Sequence, residues 1–268
     1  MSPKVIITGG SGFLGRQISA CMTKEHILLG FNGKGGTIKC DLRHEVPRIP
    51  LEAQYVIHLA GKAHSVPSIK SDIEEFYEVN VQGTLNLLKG LENSRGTIQQ
   101  VIYTSTVAVY GLARGENICE KEPTLGTTPY AKSKLEAESI LQEWTEKHGI
   151  RLLTLRLPLI AGPNPPGNLG AMISALKRNR YLSIGDGTAR RSMVLGTDVG
   201  RLFSRLNGSE CGIYNLTDGH HPSIRELEKA VCKQLGRSMP SRIPQCIARA
   251  LGSCGDFFGR YSPVNSAM

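Results

Sequence analysis

The chain has 268 residues, enough for one large domain or one domain with a modest second lobe. Hydrophobic residues make up 40% and charged residues 21%, the balance of a soluble globular protein, and no segment approaches the ~18 apolar residues that a spanning helix needs. The net charge of +9 is uneven, with 14 Lys or Arg against 7 Asp or Glu in residues 161–268 and 18 against 16 in residues 1–160; a basic second half can attract a phosphorylated small molecule, nucleic acid or an anionic surface, but no basic run or aromatic–basic interleaving supports nucleic acid.

The opening residues enter a strand at once and lack the layout of a signal peptide. Seven cysteines, at 21, 40, 119, 211, 232, 246 and 254, are scattered, odd in number and without a C-x-x-C pair. They read as inert thiols in a reducing compartment, not as disulfides or metal ligands. A cytoplasmic protein without a metal site is expected.

Lys4-Val5-Ile6-Ile7-Thr8 is a short buried strand. Gly9-Gly10-Ser11-Gly12-Phe13-Leu14-Gly15 follows, then an apolar helical pattern through Ile18, Ala20 and Met22. Glycines at 9, 12 and 15 between a strand and a helix allow a tight turn, close backbone approach to a pyrophosphate, and helix-on-strand packing. The helix N-terminus then offers amide donors to the anion. This predicts a Rossmann phosphate loop, with Gly9, Gly12, Phe13, Leu14 and Gly15 against a dinucleotide. The second strand, His26 to Phe31, leads to where an NAD site usually carries an acid, ~20 residues on. No Asp or Glu lies between Glu25 and Asp41. The loop offers Asn32 and Lys34, and Arg16 follows the third glycine. Cations without a carboxylate accept a 2′-phosphate, so NADP(H) is expected. The alternative is NAD, with Asn32 on the ribose and the two cations simply solvated.

Ile38 to Leu42 looks like a third strand. Asp41, with Leu42 beside it, could meet an adenine amino group or cap a turn. The strand Tyr55 to Gly61 ends in Leu59-Ala60-Gly61, where small residues let a cofactor approach. His58 reads as a packed strand residue rather than a catalyst. Residues 73–91 are predicted helical; Asn80 inside them is mildly unfavourable there and hints at a polar tertiary role.

Gln100 to Thr106 is a strand that ends in hydroxyls. Thr128-Pro129 then reads as an N-cap with proline at the first helical position. Tyr130 and Lys134 share one face of the helix that follows. A phenol ionises near pH ~10, and a nearby ammonium lowers that value, so the pair can move a proton to or from a substrate hydroxyl. On spacing alone it could equally be a chance pair on a surface helix. Arg151 to Leu157 is the next strand. Residues 1–160 thus alternate strand and helix, which predicts an α/β doubly wound parallel sheet as a dinucleotide-binding Rossmann domain. After Pro158 the texture changes. A Gly/Pro/Asn loop leads to a helix (168–179), short strands (181–184, 191–195, 213–216) and helices near 197–206, 223–235 and 243–253. Residues 161–268 read as a small mixed substrate lobe, interleaved with the first domain.

Together these residues resemble the extended short-chain dehydrogenase/reductase superfamily, in its nucleotide-sugar epimerase/reductase branch. The resemblance rests on Thr8 to Gly15, Asp41-Leu42, His58 to Gly61, Asn80-Val81-Gln82-Gly83-Thr84, Ser105-Thr106 with Val109-Tyr110-Gly111, Tyr130 with Lys134, Leu155-Arg156 with Gly162-Pro163, and Gly185-Asp186-Gly187-Thr188 leading to Arg191 and Asp198. It implies that Tyr130 is the general acid/base and that Lys134 lowers its pKa and holds the nicotinamide ribose. Thr106 orients the substrate oxygen with Ser105 beside it, and Asn80 supports the site. It implies that Arg191 clamps a substrate diphosphate, that Asn168 contacts it, and that Asp198 is structural. Asn80, Leu59, Ala60, Gly61 and Pro158 complete the expected cofactor surface.

Two departures matter. Sugar-nucleotide 4,6-dehydratases of this group typically carry Asp-Glu where this chain has Val107-Ala108. Neither residue can remove a proton from C5 or protonate a leaving hydroxyl, which argues against a dehydratase. Relatives also often continue past a segment like Asp256-Phe257-Phe258-Gly259, so the base-binding side is expected to be incomplete, supplied differently or truncated. The resemblance therefore implies a C4 epimerase or 4-keto reductase of a UDP-linked amino or deoxy hexose, in polysaccharide biosynthesis, working as a homodimer. The rival expectations are a reductase of a small apolar ketone or alcohol, and a non-catalytic NADP-sensing protein.

Overall fold

A computed structural model describes residues 4–22, 26–30, 38–63, 70–206 and 208–248. In chain order the elements of the first half are β1 (Lys4–Thr8), α1 (Phe13–Cys21), β2 (His26–Gly30), β3 (Ile38–Lys39), β4 (Ala53–His58), α2 (Lys70–Tyr77), α3 (Gly83–Leu91), β5 (Gln100–Thr106), α4 (Pro129–His148) and β6 (Arg151–Leu157). Then come β7 (Leu159–Ala161), α5 (Gly167–Lys177), β8 (Ser183–Ile184), β9 (Met193–Leu195), α6 (Gly196–Arg205), β10 (Gly212–Asn215), α7 (Ile224–Leu235) and β11 (Arg242–Ile243). The described chain divides into two compact units. One runs to Pro165 and takes back Met193–Asp218; the other is Pro166–Ser192 with the residues from Gly219 on. No described helix is long and apolar enough to cross a membrane.

The first unit holds a seven-stranded, fully parallel sheet in the order β10-β6-β5-β4-β1-β2-β3. Its β3-β2-β1-β4-β5-β6 run is the doubly wound Rossmann order. Both faces are covered, as a parallel sheet requires. Alternate strand residues sort into two cores. Ile6, Val56, Val101, Tyr103 and Leu152 pack with Leu87, Leu91, Ala137 and Leu141 of α3 and α4. Val5, Ile7, Ile57, Ile102, Leu153 and Leu155 pack with Ile18, Val199 and Phe203 of α1 and α6. That period of two in near-continuous apolar runs is why these segments form central strands.

Two expectations change. The break between units falls at Pro165 rather than 160, and residues 193–218 belong with the first unit, where β9 pairs with β7 in a separate two-stranded sheet and β10 joins the seven-stranded one beside β6. Local texture could not show this, because β10 is a short and largely exposed edge strand. The helix expected over 73–91 is interrupted by one π-helical turn, Glu78–Gln82, centred on Asn80. Of the helix expected at 243–253, Ile243 ends β11, residues 245–248 are helical, and 249–253 lie outside the described residues.

Helix α4 starts as the sequence suggests. The Thr128 hydroxyl accepts from the Ala131 amide, Pro129 opens the first turn, and Gly149 at φ 66° closes the helix. A buried ion pair locks α4 to β6. Arg156 donates to both Glu138 oxygens, at 3.3 and 2.8 Å, with 5% and 9% of the two side chains exposed. The same guanidinium donates to the Tyr110 hydroxyl at 3.0 Å, and that hydroxyl donates to Asn215 of β10 at 2.8 Å. Glu120 accepts from the Asn215 amide at 2.7 Å, tying down the loop before α4.

In the second unit, α7 begins with a Ser223/Glu226 capping box, and β8 pairs with β11. Burial, with Glu228 beside it, pushes the Tyr181 phenol up to about 12. Residues 166–192 and 219–248 hold 10 Lys or Arg against 3 Asp or Glu, so the chain's positive charge concentrates in this unit.

Arg156→Met leaves the Glu138 carboxylate buried without its cation, and should cost about 3–5 kcal/mol. Arg156→Met with Glu138→Leu should recover most of that loss. Urea unfolding of the four combinations measures it; an unchanged midpoint for Arg156→Met would remove the pair from the account of stability.

Candidate active site

The phosphate loop joins β1 to α1 and lies against the end of β4, the neighbouring strand. Gly9 adopts φ +67°, and a Cβ there would come within 2.7 Å of the Ala60 amide nitrogen. A Cβ on Gly15 would strike the Gly9 carbonyl oxygen and the Gly10 backbone. The turn is closed by the Gly12 amide donating to the Gly9 carbonyl at 2.9 Å. Helix α1 begins with no side-chain cap and no acid in its first turn, which suits an anion at its N-terminus. At the end of β4, a Cβ on Gly61 would lie 3.2 Å from Asn80 Oδ1 and 3.7 Å from Lys134 Nζ. Glycine there keeps the space above the lysine open. These residues fit a dinucleotide: an anion-binding turn at one end and a glycine-opened ledge beside Lys134 at the other.

Tyr130 and Lys134 project one turn apart from α4, opposite the end of β5. The Thr106 side chain lies close enough to the Tyr130 hydroxyl to favour its ionised form. Thr106 itself caps the following 3-10 turn, its Oγ1 accepting from the Ala108 amide at 3.2 Å. Lys134 is buried. Its Nζ donates to the Thr104 carbonyl at 2.7 Å and sits 4.1 Å from the Tyr103 ring centroid. The expectation that Lys134 lowers the Tyr130 pKa does not hold in this arrangement. Burial raises the Tyr130 phenol, and the nearby Thr106 side chain is the smaller, opposing cause. Burial also brings Lys134 down to about 7, with Glu138 one turn on partly offsetting it.

Behind this pair, Asn80 in the π turn spends its amide inside the protein. Its Oδ1 accepts from the Lys62 amide at 2.7 Å; its Nδ2 donates to the Lys62 carbonyl at 3.2 Å and to Ser133 Oγ at 2.9 Å. Ser133 in turn donates to the Tyr130 carbonyl at 2.9 Å. Both donors of Asn80 are thus used, so it acts on the site through Lys62 and Ser133 rather than by donating to a cofactor. Single π turns of this kind recur at functional sites.

The remaining predicted residues fall as follows. Ser105 Oγ is buried beside Thr106 with no hydrogen-bond partner. Leu59 and Ala60 line the Gly9 turn, and Pro158 follows β6. The exposed Arg16 donates to the Ser11 carbonyl, beside the phosphate loop. Asp41 receives a bidentate contact from Arg43, at 2.8–3.1 Å, and the Arg43 amide at 3.1 Å. It caps its turn, and the Arg43 contact holds its carboxyl below the usual range. Leu42 is buried, and its carbonyl accepts from Asn86 at 2.8 Å. Asn32 and Lys34 lie outside the described residues. Asn168 and Arg191 are both exposed residues of the second unit, and Asp198 pairs with Arg201 at 2.8 Å. Sequence reasoning missed Glu138, Ser133 and Tyr103 as supports of the site; for Ser133 and Glu138 their spacing, i, i+3 from Tyr130 and i, i+4 from Lys134, was a signal, and Tyr103 on β5 gave none.

The model of the NAD dependent epimerase/dehydratase family matches residues 5–216. The chain belongs to that family. Among its members, an Escherichia coli O157:H7 protein named N-acetyl-alpha-D-glucosaminyl-diphospho-ditrans,octacis-undecaprenol 4-epimerase is 32% identical over 72% of this chain and 59% of its own length. The GDP-6-deoxy-D-mannose reductase of Pseudomonas aeruginosa is 31% identical over 85% of this chain and 78% of its own. Human dTDP-D-glucose 4,6-dehydratase is 32% identical over 65% and 50%. Among solved structures, the Thermus thermophilus UDP-glucose 4-epimerase complex with NAD superposes with TM-score 0.72 at 26% identity, covering 90% of this chain and 86% of that one. A Pseudomonas aeruginosa structure complexed with NADPH gives TM-score 0.70 at 27% identity over 91% and 88%. This family member is thus an enzyme of the nucleotide-sugar epimerase, dehydratase and reductase group that depends on NAD(P).

Lys134 binds its proton less tightly in the folded protein, near 7, than in the unfolded chain, near ~10.4. Unfolding therefore takes up a proton between those values, and stability rises with pH across that window. Lys134→Met removes the titration. The stability of that variant minus that of the wild type should be most positive below pH 7 and fall as pH approaches 10. Thermal melts across pH test this, and a constant difference would mean that Lys134 is not a weakened base.

Proposed function

We propose that this chain is a C4 epimerase or 4-keto reductase of a nucleotide-linked hexose, with a UDP-linked amino or deoxy sugar as substrate. The observation that carries the reading is Tyr130 beside the Thr106 side chain, one helical turn from a buried Lys134 that a glycine-opened ledge at Gly61 leaves accessible. The bound dinucleotide supplies or accepts hydride at the sugar carbon. The chain does the rest. Thr106, with Ser105 beside it, holds the substrate oxygen. Tyr130 takes its proton as the carbon is oxidised and returns it as the carbon is reduced. Lys134 contributes positive charge next to the developing phenolate, which offsets the burial that now holds that proton on. Gly9, Gly12 and Gly15 with α1 hold the pyrophosphate, and Gly61 leaves room for the ribose over Lys134. For the second unit, the resemblance alone implies that Arg191 and Asn168 bind diphosphate oxygens.

Against dehydration stands the 3-10 turn after Thr106. It carries Val107 and Ala108, so neither side chain can move a proton at C5 or on the C6 hydroxyl. NADP(H) is the preferred coenzyme in this reading, because Arg16 stands beside the phosphate loop and no acid lies between Glu25 and Asp41.

The test is incubation of purified protein with UDP-GlcNAc, UDP-GalNAc and a UDP-4-keto-6-deoxy sugar. N-acetylglucosaminyl-diphospho-undecaprenol joins the panel because one relative is named for it. Nicotinamide absorbance and product NMR are followed together. Interconversion of C4 epimers without net coenzyme change marks an epimerase; stoichiometric NADPH loss with the keto sugar marks a reductase. Tyr130→Phe should lower either rate by about 10²–10⁴-fold. Release of a 4-keto-6-deoxy sugar from a UDP-hexose would overturn the argument from Val107 and Ala108. A coenzyme-binding protein that turns over none of the panel would overturn the substrate class.

A further inference from the structure

His58 is fully buried at the end of β4 and touches hydroxyls from two other elements. Thr8 Oγ1 lies 2.7 Å from its Nδ1, and Thr84 Oγ1 lies 2.9 Å from its Nε2. Counting hydrogens decides the tautomer. Thr84 Oγ1 lies 2.6 Å from the Asn80 carbonyl, and only the threonine can donate there. Its one hydrogen is spent, so it must accept from His58 Nε2–H. In a neutral ring Nδ1 is then an acceptor, and Thr8 must donate to it. Thr8 Oγ1 in turn accepts from the Ala60 amide at 3.1 Å.

The result is a directed line of hydrogen bonds. It starts at the Ala60 amide, against which Gly9 packs, and runs through Thr8, His58 and Thr84 to Asn80. From there the Asn80 amide and Ser133 carry it to the Tyr130 carbonyl. One end is the dinucleotide cradle and the other is the first turn of the catalytic helix. We propose that this line fixes the cradle relative to Tyr130, with His58 as its neutral central positioning residue. The inference rests on the dinucleotide reading of the site. Hydride and proton must leave the same substrate carbon and oxygen, and misplacement by ~1 Å costs about 10²-fold. Their holders sit on β1, β4 and α4, so a rigid polar link between those elements has a direct use. Burial, with the Lys134 ammonium as a smaller cause, holds the His58 pKa to about 3, so the link keeps its hydrogens in place at any working pH. The ring also stacks on Tyr103, with centroids 5.4 Å apart, so simple space-filling is the competing explanation.

Long-range ¹H–¹⁵N NMR of the coenzyme-free protein should show a neutral ring protonated at Nε2. His58→Phe keeps the ring volume and loses both bonds. It should weaken NADPH binding about tenfold and move the Tyr130 titration, read by ¹³Cζ-tyrosine NMR with Tyr130→Phe for assignment. Conservative variants should split the two effects. His58→Asn can still accept from Thr8 and should keep NADPH affinity while shifting Tyr130. His58→Gln can still donate to Thr84 and should keep the Tyr130 titration while losing affinity. Where His58→Phe does not fold, Thr8→Val and Thr84→Val cut one end each and should show the same split. A ring protonated at Nδ1, or a folded His58→Phe protein with wild-type affinity and Tyr130 titration, would overturn the proposal. A wild-type protein that binds neither NAD nor NADPH would instead sink the dinucleotide reading, while the ring protonation would still be measurable.

Discussion

The Glu138–Arg156 pair holds the active helix to the sheet. Apolar contacts between α4 and the sheet supply much of the attraction, but a greasy interface tolerates small slides. A bidentate guanidinium–carboxylate contact does not, because its planar fork matches one register only. Removing either partner leaves a charge in a dry place, so the pair cannot be broken one side at a time. Its reach extends further. Through Tyr110 and Asn215 the same guanidinium fixes the turn after β5 and the edge strand β10. Thr106 and Tyr130, which lie on those two sides, inherit a fixed separation.

Burial then sets the electrical state of the pair. A phenol and an ammonium in water would each sit near pH ~10. In this site they are pushed apart: the phenol holds its proton more tightly and Lys134 less. Both shifts favour neutral forms, as desolvation always does. Three local contacts lean the other way. Glu138 stabilises the charged lysine, the Thr104 carbonyl receives its proton, and the Tyr103 ring faces it. The Thr106 side chain favours the phenolate. Opposing contacts of this kind suit a residue that must both take and return a proton.

Much of this was legible in the sequence because it is local. Glycines at fixed spacing report a turn, alternating Val5, Ile6 and Ile7 report a two-faced strand, and Thr128-Pro129 reports a cap. Each signal spans a few residues and needs no partner elsewhere. The Tyr130–Lys134 pair was visible for the same reason. What stayed hidden depends on partners far along the chain. Arg156 meets Glu138 across 18 residues and Tyr110 across 46. His58 meets Thr8 across 50 and Thr84 across 26. The π turn holds Asn80, whose side-chain partners Lys62 and Ser133 lie 18 and 53 residues away, and helical periodicity alone reads it as continuous helix. The direction of the Tyr130 shift was misread for a related reason: spacing brings a cation near, but only the packed structure shows how dry the site is.

Fold alone does not select the reaction. Epimerases, reductases and dehydratases all stand among the relatives, and the sheet, the cradle and the locked helix serve each equally. Selection falls to the few side chains around the substrate oxygen. In this chain the turn after Thr106 offers only the Ala108 amide, already given to Thr106 Oγ1, and two short apolar side chains. That amide orients the hydroxyl and leaves its one hydrogen for Tyr130 or a substrate. A carboxylate pair in the same turn would add acid and base for elimination, but also two negative charges near a buried phenol whose pKa is already raised. With Val107 and Ala108 the proposed site keeps Tyr130 as its one proton carrier, which fits the proposed chemistry at a single carbon.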